Sequence, residues 1–192
     1  DMPGGDRGII SWPGREQEFR DNVAIVTEIG KRTGCRAFNA LYGNRIDGAD
    51  PTEQDELALE NLTYAAQSVA AVDGTVLVEP VSGAPKYPLL TAADAIAVID
   101  KAHAGGATNV GLLADLYHLH VNGDHIDRAI SDYAGRIAHV QIADAPGRHE
   151  PGTGELDLDR YLAQLAANGY AGWIGCEYKP SGASVDSFGW RK

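Results

Sequence analysis

Apolar positions along this chain alternate between two periods. From Arg15 to Thr33, Phe19, Val23, Val26 and Gly30 recur at helical spacing, with Ile29 beside them, and Gly34 interrupts the pattern. Cys35–Leu41 then reads as a strand, with Tyr42–Arg45 as its exit loop. A second long helix is predicted over Pro51–Val72, striped by Leu59, Leu62, Ala66 and Val69 and ended by Asp73–Gly74. Strand Thr75–Glu79 follows, with PVSGAPKYP as a turn-rich exit. Thr91 and Asp94 announce the next helix as a near relative of the capping box, and Gly105–Gly106 break it.

The rest repeats that alternation. Asn109–Asp115 is a strand, Asp124–Tyr133 a short helix, and Ile137–Ile142 a strand. Asp157–Ala167 is a helix and Trp173–Glu177 the last strand. Strand starts near 35, 75, 109, 137 and 173 lie 40, 34, 28 and 36 residues apart, and a helix fits into each gap. Such βα units call for parallel strands, in either a doubly wound sheet or a (β/α) barrel. No glycine-rich phosphate loop follows any strand, and polar side chains end several strands rather than one crevice, which favours the barrel. Five strands are visible where a closed barrel has about eight. The expected fold is therefore a single partial TIM (β/α)8 barrel over residues 1–192, its remaining three units placed before Asp1. The opening DMPGGDRG is loop-like and lacks an initiator Met at position 1, as in a processed chain or a part of something longer.

Composition adds exclusions. The 192 residues carry 16 basic and 27 acidic side chains, a net charge of -11, which argues against a general nucleic-acid or anionic-membrane binder. No run approaches the roughly 20 apolar residues of a membrane span, and no signal-peptide pattern opens the chain, so the cytoplasm is the default. Cys35 and Cys176 form neither a disulfide framework nor a metal knuckle, and read as small buried strand residues.

The chemistry gathers at the strand ends, where Glu79, Asp115, Gln141 and Glu177 each present an oxygen-bearing side chain. Together they make an all-oxygen ligand set suited to Mg²⁺ or Mn²⁺. Three converging carboxylates without a cation would raise one another's pKa. Taken singly, each is as readily a loop cap. His118, three residues past Asp115, comes back to the same mouth if the chain turns there, as a donor to a substrate oxygen or as a histidine satisfied by the backbone. His139 lies on the same side of its strand as Gln141, as support or core. Arg148 is the leading candidate for clamping a substrate carboxylate, with Lys179 adding positive potential; a loop salt bridge is the competing reading for both. His149 and Glu150 are weaker candidates. The terminal SGASVDSFGW is expected to pack over the barrel end through Phe188 and Trp190.

VLVEP, LLADLYHLH, IAHVQIADAPGRHEPGTGEL, GYAGWIGCEYKP and a late FGW, with PGREQEF and FNALYGNR near the start, resemble the hydroxypyruvate isomerase family of xylose-isomerase-like (β/α)8 barrels. The resemblance implies Glu79, Asp115, Gln141 and Glu177 as metal-binding residues and Glu79 with Glu177 as catalytic carboxylates. More loosely, it implies His118 and Arg148 as substrate contacts. The implied reaction interconverts hydroxypyruvate and 2-hydroxy-3-oxopropanoate by metal-assisted proton transfer, without a redox cofactor. A 2-oxo-tetronate isomerase or a related sugar isomerase or epimerase is the nearest alternative. A metal-dependent endonuclease would want several metal-site histidines and a basic groove. A non-catalytic barrel remnant with a structural role is the alternative of a different class. The expected partners are a small hydroxy-oxo acid and either a second copy or a chain supplying the absent units.

Overall fold

The computed structural model describes residues 6–191; the reading of residues 1–5 as a loop-like lead lies outside that range. The element order is α1 (Glu16–Thr33), β1 (Ala37–Asn39), α2 (Pro51–Val69), β2 (Thr75–Val78), α3 (Ala92–Ala104), β3 (Val110–Asp115), α4 (Leu116–Val121), α5 (Ile126–Tyr133), β4 (Ile137–Ile142), α6 (Leu158–Ala167) and β5 (Ile174–Cys176). The five strands form one sheet in the order β1-β2-β3-β4-β5, with every pair parallel. Because strand order follows chain order and βα crossovers share one hand, the helices are laid on one face. The result is a curled, open segment of a xylose-isomerase-like (β/α)8 barrel, as the alternation predicts.

The helix boundaries follow from local chemistry. The Asp50 side chain caps α2 by accepting from Thr52 N at 2.8 Å, ahead of Pro51 in the first turn. Thr91 and Asp94 form a full reciprocal capping box on α3. Gly34, at φ 79°, ends α1 in the left-handed region where a Cβ would be strained. The helix predicted over Pro51–Val72 tightens into a 3₁₀ turn at Ala70–Val72, and the turn considered after Asp115 is a short helix, α4, that starts directly after that residue.

Strand alternation separates the two faces of the sheet. Val76, Val78, Leu112, Ala114, Val140 and Ile142 join the core with the helices. On the opposite face the register aligns Asn39 with Leu77, Leu77 with Gly111, Leu113 with His139, Asp115 with Gln141, and Gln141 with Gly175. A bulge makes this possible. Leu112 pairs with Ile137 but Leu113 with His139, so β4 gains one residue and His139 and Gln141 turn to the concave face. His139 does face the same way as Gln141.

Three expectations need correction. The outer strands are only three residues long, against Cys35–Leu41 and Trp173–Glu177 in the prediction. Cys35 and Cys176 are exposed, not buried: Cys35 lies two residues before β1, and Cys176 ends β5, which has a neighbour on one side only. At the C-terminal end Trp190 packs on the core, but Phe188 is half exposed. Among the described residues no helix is long and apolar enough to cross a membrane.

Candidate active site

All the predicted oxygen donors emerge at one end of the sheet. Asp115 is the last residue of β3, Gln141 the last but one of β4, and Glu79 and Glu177 directly follow β2 and β5. A ligand atom from each of Glu79, Asp115, His118 and Glu177 lies within 4.8 Å of the others, a spacing that suits one divalent cation. Glu79, Asp115 and His118 are buried, whereas the Glu177 side chain is 48% exposed.

Each member has a visible anchor. Asn39 at the end of β1 donates from Nδ2 to Glu79 Oε2 at 2.6 Å. Asp115 Oδ1 accepts from Tyr117 N at 2.9 Å and His118 N at 3.4 Å, which caps α4 and swings His118 back to the mouth. His118 Nδ1 lies 3.1 Å from Ser82 N and 2.7 Å from Ser82 Oγ, and its Nε2 lies 3.6 Å from Asp115 Oδ2. Two further histidines are placed elsewhere: His120 meets Glu155 Oε1 at 2.9 Å, and His149, a weaker candidate, meets Lys179 O through Nδ1 at 2.7 Å.

Electrostatics favour a cation here. Burial, with Asp115 and Glu177 nearby, pushes the Glu79 carboxyl up to about 8 despite the opposing Asn39 bond and Arg148 charge. Burial and the neighbouring Glu177 also raise Asp115. His118 is pushed down to about 4 by burial, then by Arg148 and Arg7, and is a neutral imidazole at pH 7. Among the described residues Gln141 Oε1 is buried without a hydrogen-bond partner, an acceptor awaiting an electropositive group. Crowded buried carboxylates and an orphaned amide oxygen fit a hard divalent ion.

Arg148 binds protein carboxylates. Its Nη2 reaches Asp115 Oδ2 at 3.2 Å and Glu177 Oε2 at 2.5 Å, Nε donates to Glu177 O at 3.2 Å, and the guanidinium stacks over Tyr117 at 5.1 Å. The loop salt bridge considered for Arg148 is thus present, inside the candidate site. Lys179 is exposed, and its backbone N donates to Arg148 O at 2.8 Å. Glu150 accepts from Ser181 N at 2.9 Å and Ser181 Oγ at 2.5 Å. The three residues Arg148–Glu150 therefore fasten the loop after β4 onto the segment leaving β5.

Asp144 organises that loop, a role its sequence position does not reveal. Fully buried, it accepts from the N–H groups of Ala145, Gly152, Gly154 and Leu156 at 2.8, 2.9, 2.9 and 3.0 Å. Burial alone would raise its pKa, yet these four donors hold it below the usual value. Gly154 is required by close approach: a Cβ there would lie 2.1 Å from Ala145 O. Arg148 itself sits at φ 58°, a left-handed conformation that the surrounding hydrogen bonds sustain. The signal was the dense glycine spacing of PGRHEPGTG after an aspartate, which marks a turn but not its carboxylate hub.

With this geometry in view, comparison with known proteins places the chain. Residues 3–192 match the model of the xylose isomerase-like TIM barrel family, and the chain belongs to that family. Within it the chain falls with the hydroxypyruvate isomerases. It is 49% identical, over 98% of its length and 70% of the relative's, to a Streptomyces coelicolor protein provisionally named hydroxypyruvate isomerase. It is also 34% identical to the hydroxypyruvate isomerase of Escherichia coli, over 99% of this chain and 73% of that one. A 2-oxo-tetronate isomerase from Cupriavidus necator is 36% identical over 100% of this chain and 74% of its own length. Among solved structures, a Brucella melitensis protein described as a family 2 AP endonuclease superposes with a TM-score of 0.89 at 36% identity, covering 99% of this chain and 73% of that one.

Proposed function

We propose that this chain carries the site of a metal-dependent isomerase that interconverts hydroxypyruvate and 2-hydroxy-3-oxopropanoate. The observation that carries the reading is the convergence of Glu79, Asp115, His118 and Glu177 within 4.8 Å at the carboxyl ends of three parallel strands. The relatives named for keto-acid isomerisation support the reaction class. Glu79, Asp115, Gln141 and Glu177 would hold Mg²⁺ or Mn²⁺. When bound, such an ion supplies Lewis-acid stabilisation to charge developing on two neighbouring substrate oxygens.

The chain's own residues do the rest. Glu79 and Glu177 are the proton-transfer pair: one removes the proton from the hydroxyl-bearing carbon and the other delivers a proton to the neighbouring carbon, while the hydroxyl proton passes to the former carbonyl oxygen. His118 addresses a substrate oxygen. Arg148, already at the mouth, and Lys179 provide positive charge for the substrate carboxylate, which lets an acidic protein hold an anion. The 2-oxo-tetronate relative makes a longer acid of the same type the second reading. The acidic net charge of -11 weighs against a nuclease reading.

Proton NMR of hydroxypyruvate in D₂O tests the proposal, with chelated protein and after Mg²⁺ or Mn²⁺ is restored. The expected result is metal-dependent appearance of the aldehyde isomer with deuterium at carbon. Metal binding without any isomer would sink the hydroxypyruvate assignment, and turnover of the longer acid in its place would establish the second reading. Failure to bind the ion would support a non-catalytic barrel segment.

A further inference from the structure

His118 stands among the carboxylates closely enough to be taken for a metal ligand. Its other ring nitrogen argues otherwise. Nδ1 faces the backbone N of Ser82 at 3.1 Å and the Ser82 hydroxyl at 2.7 Å. A backbone N–H can only donate, so Nδ1 must present its lone pair, and the single proton of a neutral imidazole then resides on Nε2. A histidine that ligates through Nε2 needs the reverse arrangement, with Nδ1–H donating to an acceptor. Moving the proton to Nδ1 would set two N–H groups against each other in a buried site.

We propose that Ser82 is a positioning residue that locks His118 in the Nε2–H tautomer, so that the imidazole meets the substrate as a hydrogen-bond donor and stays outside the metal's ligand set. The substrate half of this statement rests on the proposed isomerase function; the tautomer does not. Both sides of the lock are rigidly held. The Ser82 loop is closed by Val81 N to Leu89 O at 3.1 Å and Tyr87 N to Ala84 O at 2.9 Å, and Tyr87 Oη is tied to Glu79 O at 3.1 Å. The His118 backbone is fixed in the first turn of α4 by the Asp115 cap. The side chain is 8% exposed, which keeps bulk water from competing for Nδ1.

Long-range ¹H–¹⁵N correlation spectra of ¹⁵N-labelled protein at pH 7 read the tautomer directly, with His118 assigned by its loss in His118→Asn. Nδ1 is expected at the unprotonated position and Nε2 at the protonated one, both before and after saturation with Mg²⁺. A proton on Nδ1, or loss of the Nε2 proton when Mg²⁺ binds, would overturn the proposal. Ser82→Ala keeps the backbone donor but removes the hydroxyl. Its Nδ1 resonance is expected to move toward that of a free acceptor, and hydroxypyruvate turnover to fall about fivefold in kcat. An unmoved resonance would remove Ser82 Oγ from the lock. His118→Gln, whose amide can donate near the Nε2 position, is expected to retain more activity than His118→Asn; the opposite order would count against the donor role. If the spectra hold while hydroxypyruvate is not turned over, the tautomer lock stands and the substrate assignment fails.

Discussion

The middle and the edge of this sheet are built to different standards. All six residues of β3 are buried, and both neighbouring strands hydrogen-bond to it. β5, at the edge, keeps no residue buried; Trp173 just before it is 87% exposed and Ile174 38%. The candidate site straddles this divide. Glu79 and Asp115 come from interior strands at 5% and 0% exposure, while Glu177 leaves the edge strand and is held by Arg148. One wall of the site is thus organised by packing, and the other by hydrogen bonds and charge between loops. A parallel sheet gains its rigidity from being covered on both faces and both sides, and edge strands lack one side by definition.

That contrast yields predictions of decreasing size. Glu79→Gln strikes the interior wall at a carboxylate proposed to move a proton, and isomerase turnover should fall by about 10³-fold, near 4 kcal/mol, in steady-state kinetics on hydroxypyruvate. The same substitution has a stability signature. A carboxyl raised on folding stabilises the protein below its ordinary pKa of 4.5, and that contribution is lost as pH rises toward about 8. Metal-free protein should therefore lose Tm across this window, Glu79→Gln should flatten the loss, and Mg²⁺ at pH 8 should reverse it. A flat profile in the parent protein would show that the interior wall does not hold its carboxylates under strain.

Leu112→Ala opens a cavity in the central strand, where the side chain is wholly buried, and should cost about 3 kcal/mol in urea unfolding. Asp144→Asn leaves the loop wall with an uncharged hub for four backbone donors and should cost about 2 kcal/mol. Its linkage has the opposite sign to that of Glu79. A carboxyl lowered on folding contributes stability above its ordinary value of 3.8, lost as pH falls through the folded pKa, so the parent's advantage over the variant should shrink as pH drops below 3.8. Trp173→Ser at the open edge should change stability by no more than about 0.5 kcal/mol. A cost comparable to that of Leu112→Ala would mean that the edge is covered in solution, and would erase the comparison.

Much of the site was legible because its signals are local. A strand that ends in an oxygen-bearing residue is visible in four or five consecutive letters, so Glu79, Asp115, Gln141 and Glu177 could be read as one set. The helix cap at Thr91 was equally local. The burial of Cys176 was misjudged because it depends on whether a strand has one neighbour or two, which a period of two does not encode, and that of Cys35 because β1 starts only at Ala37.

By itself, then, the sequence determined the order of the βα units, the parallel sheet they require and the oxygen donors at the strand ends, since backbone periodicity and capping act over a few residues. Tertiary structure alone decided which partners meet. Ser82 reaches His118 across 36 positions and Arg148 reaches Glu177 across 29, and Asp144 gathers its donors only once the loop has closed. Those pairings set a tautomer, an anchored guanidinium and a depressed carboxyl, because hydrogen bonding and charge act through space between groups that the fold, not the local pattern, brings within 3 to 4 Å.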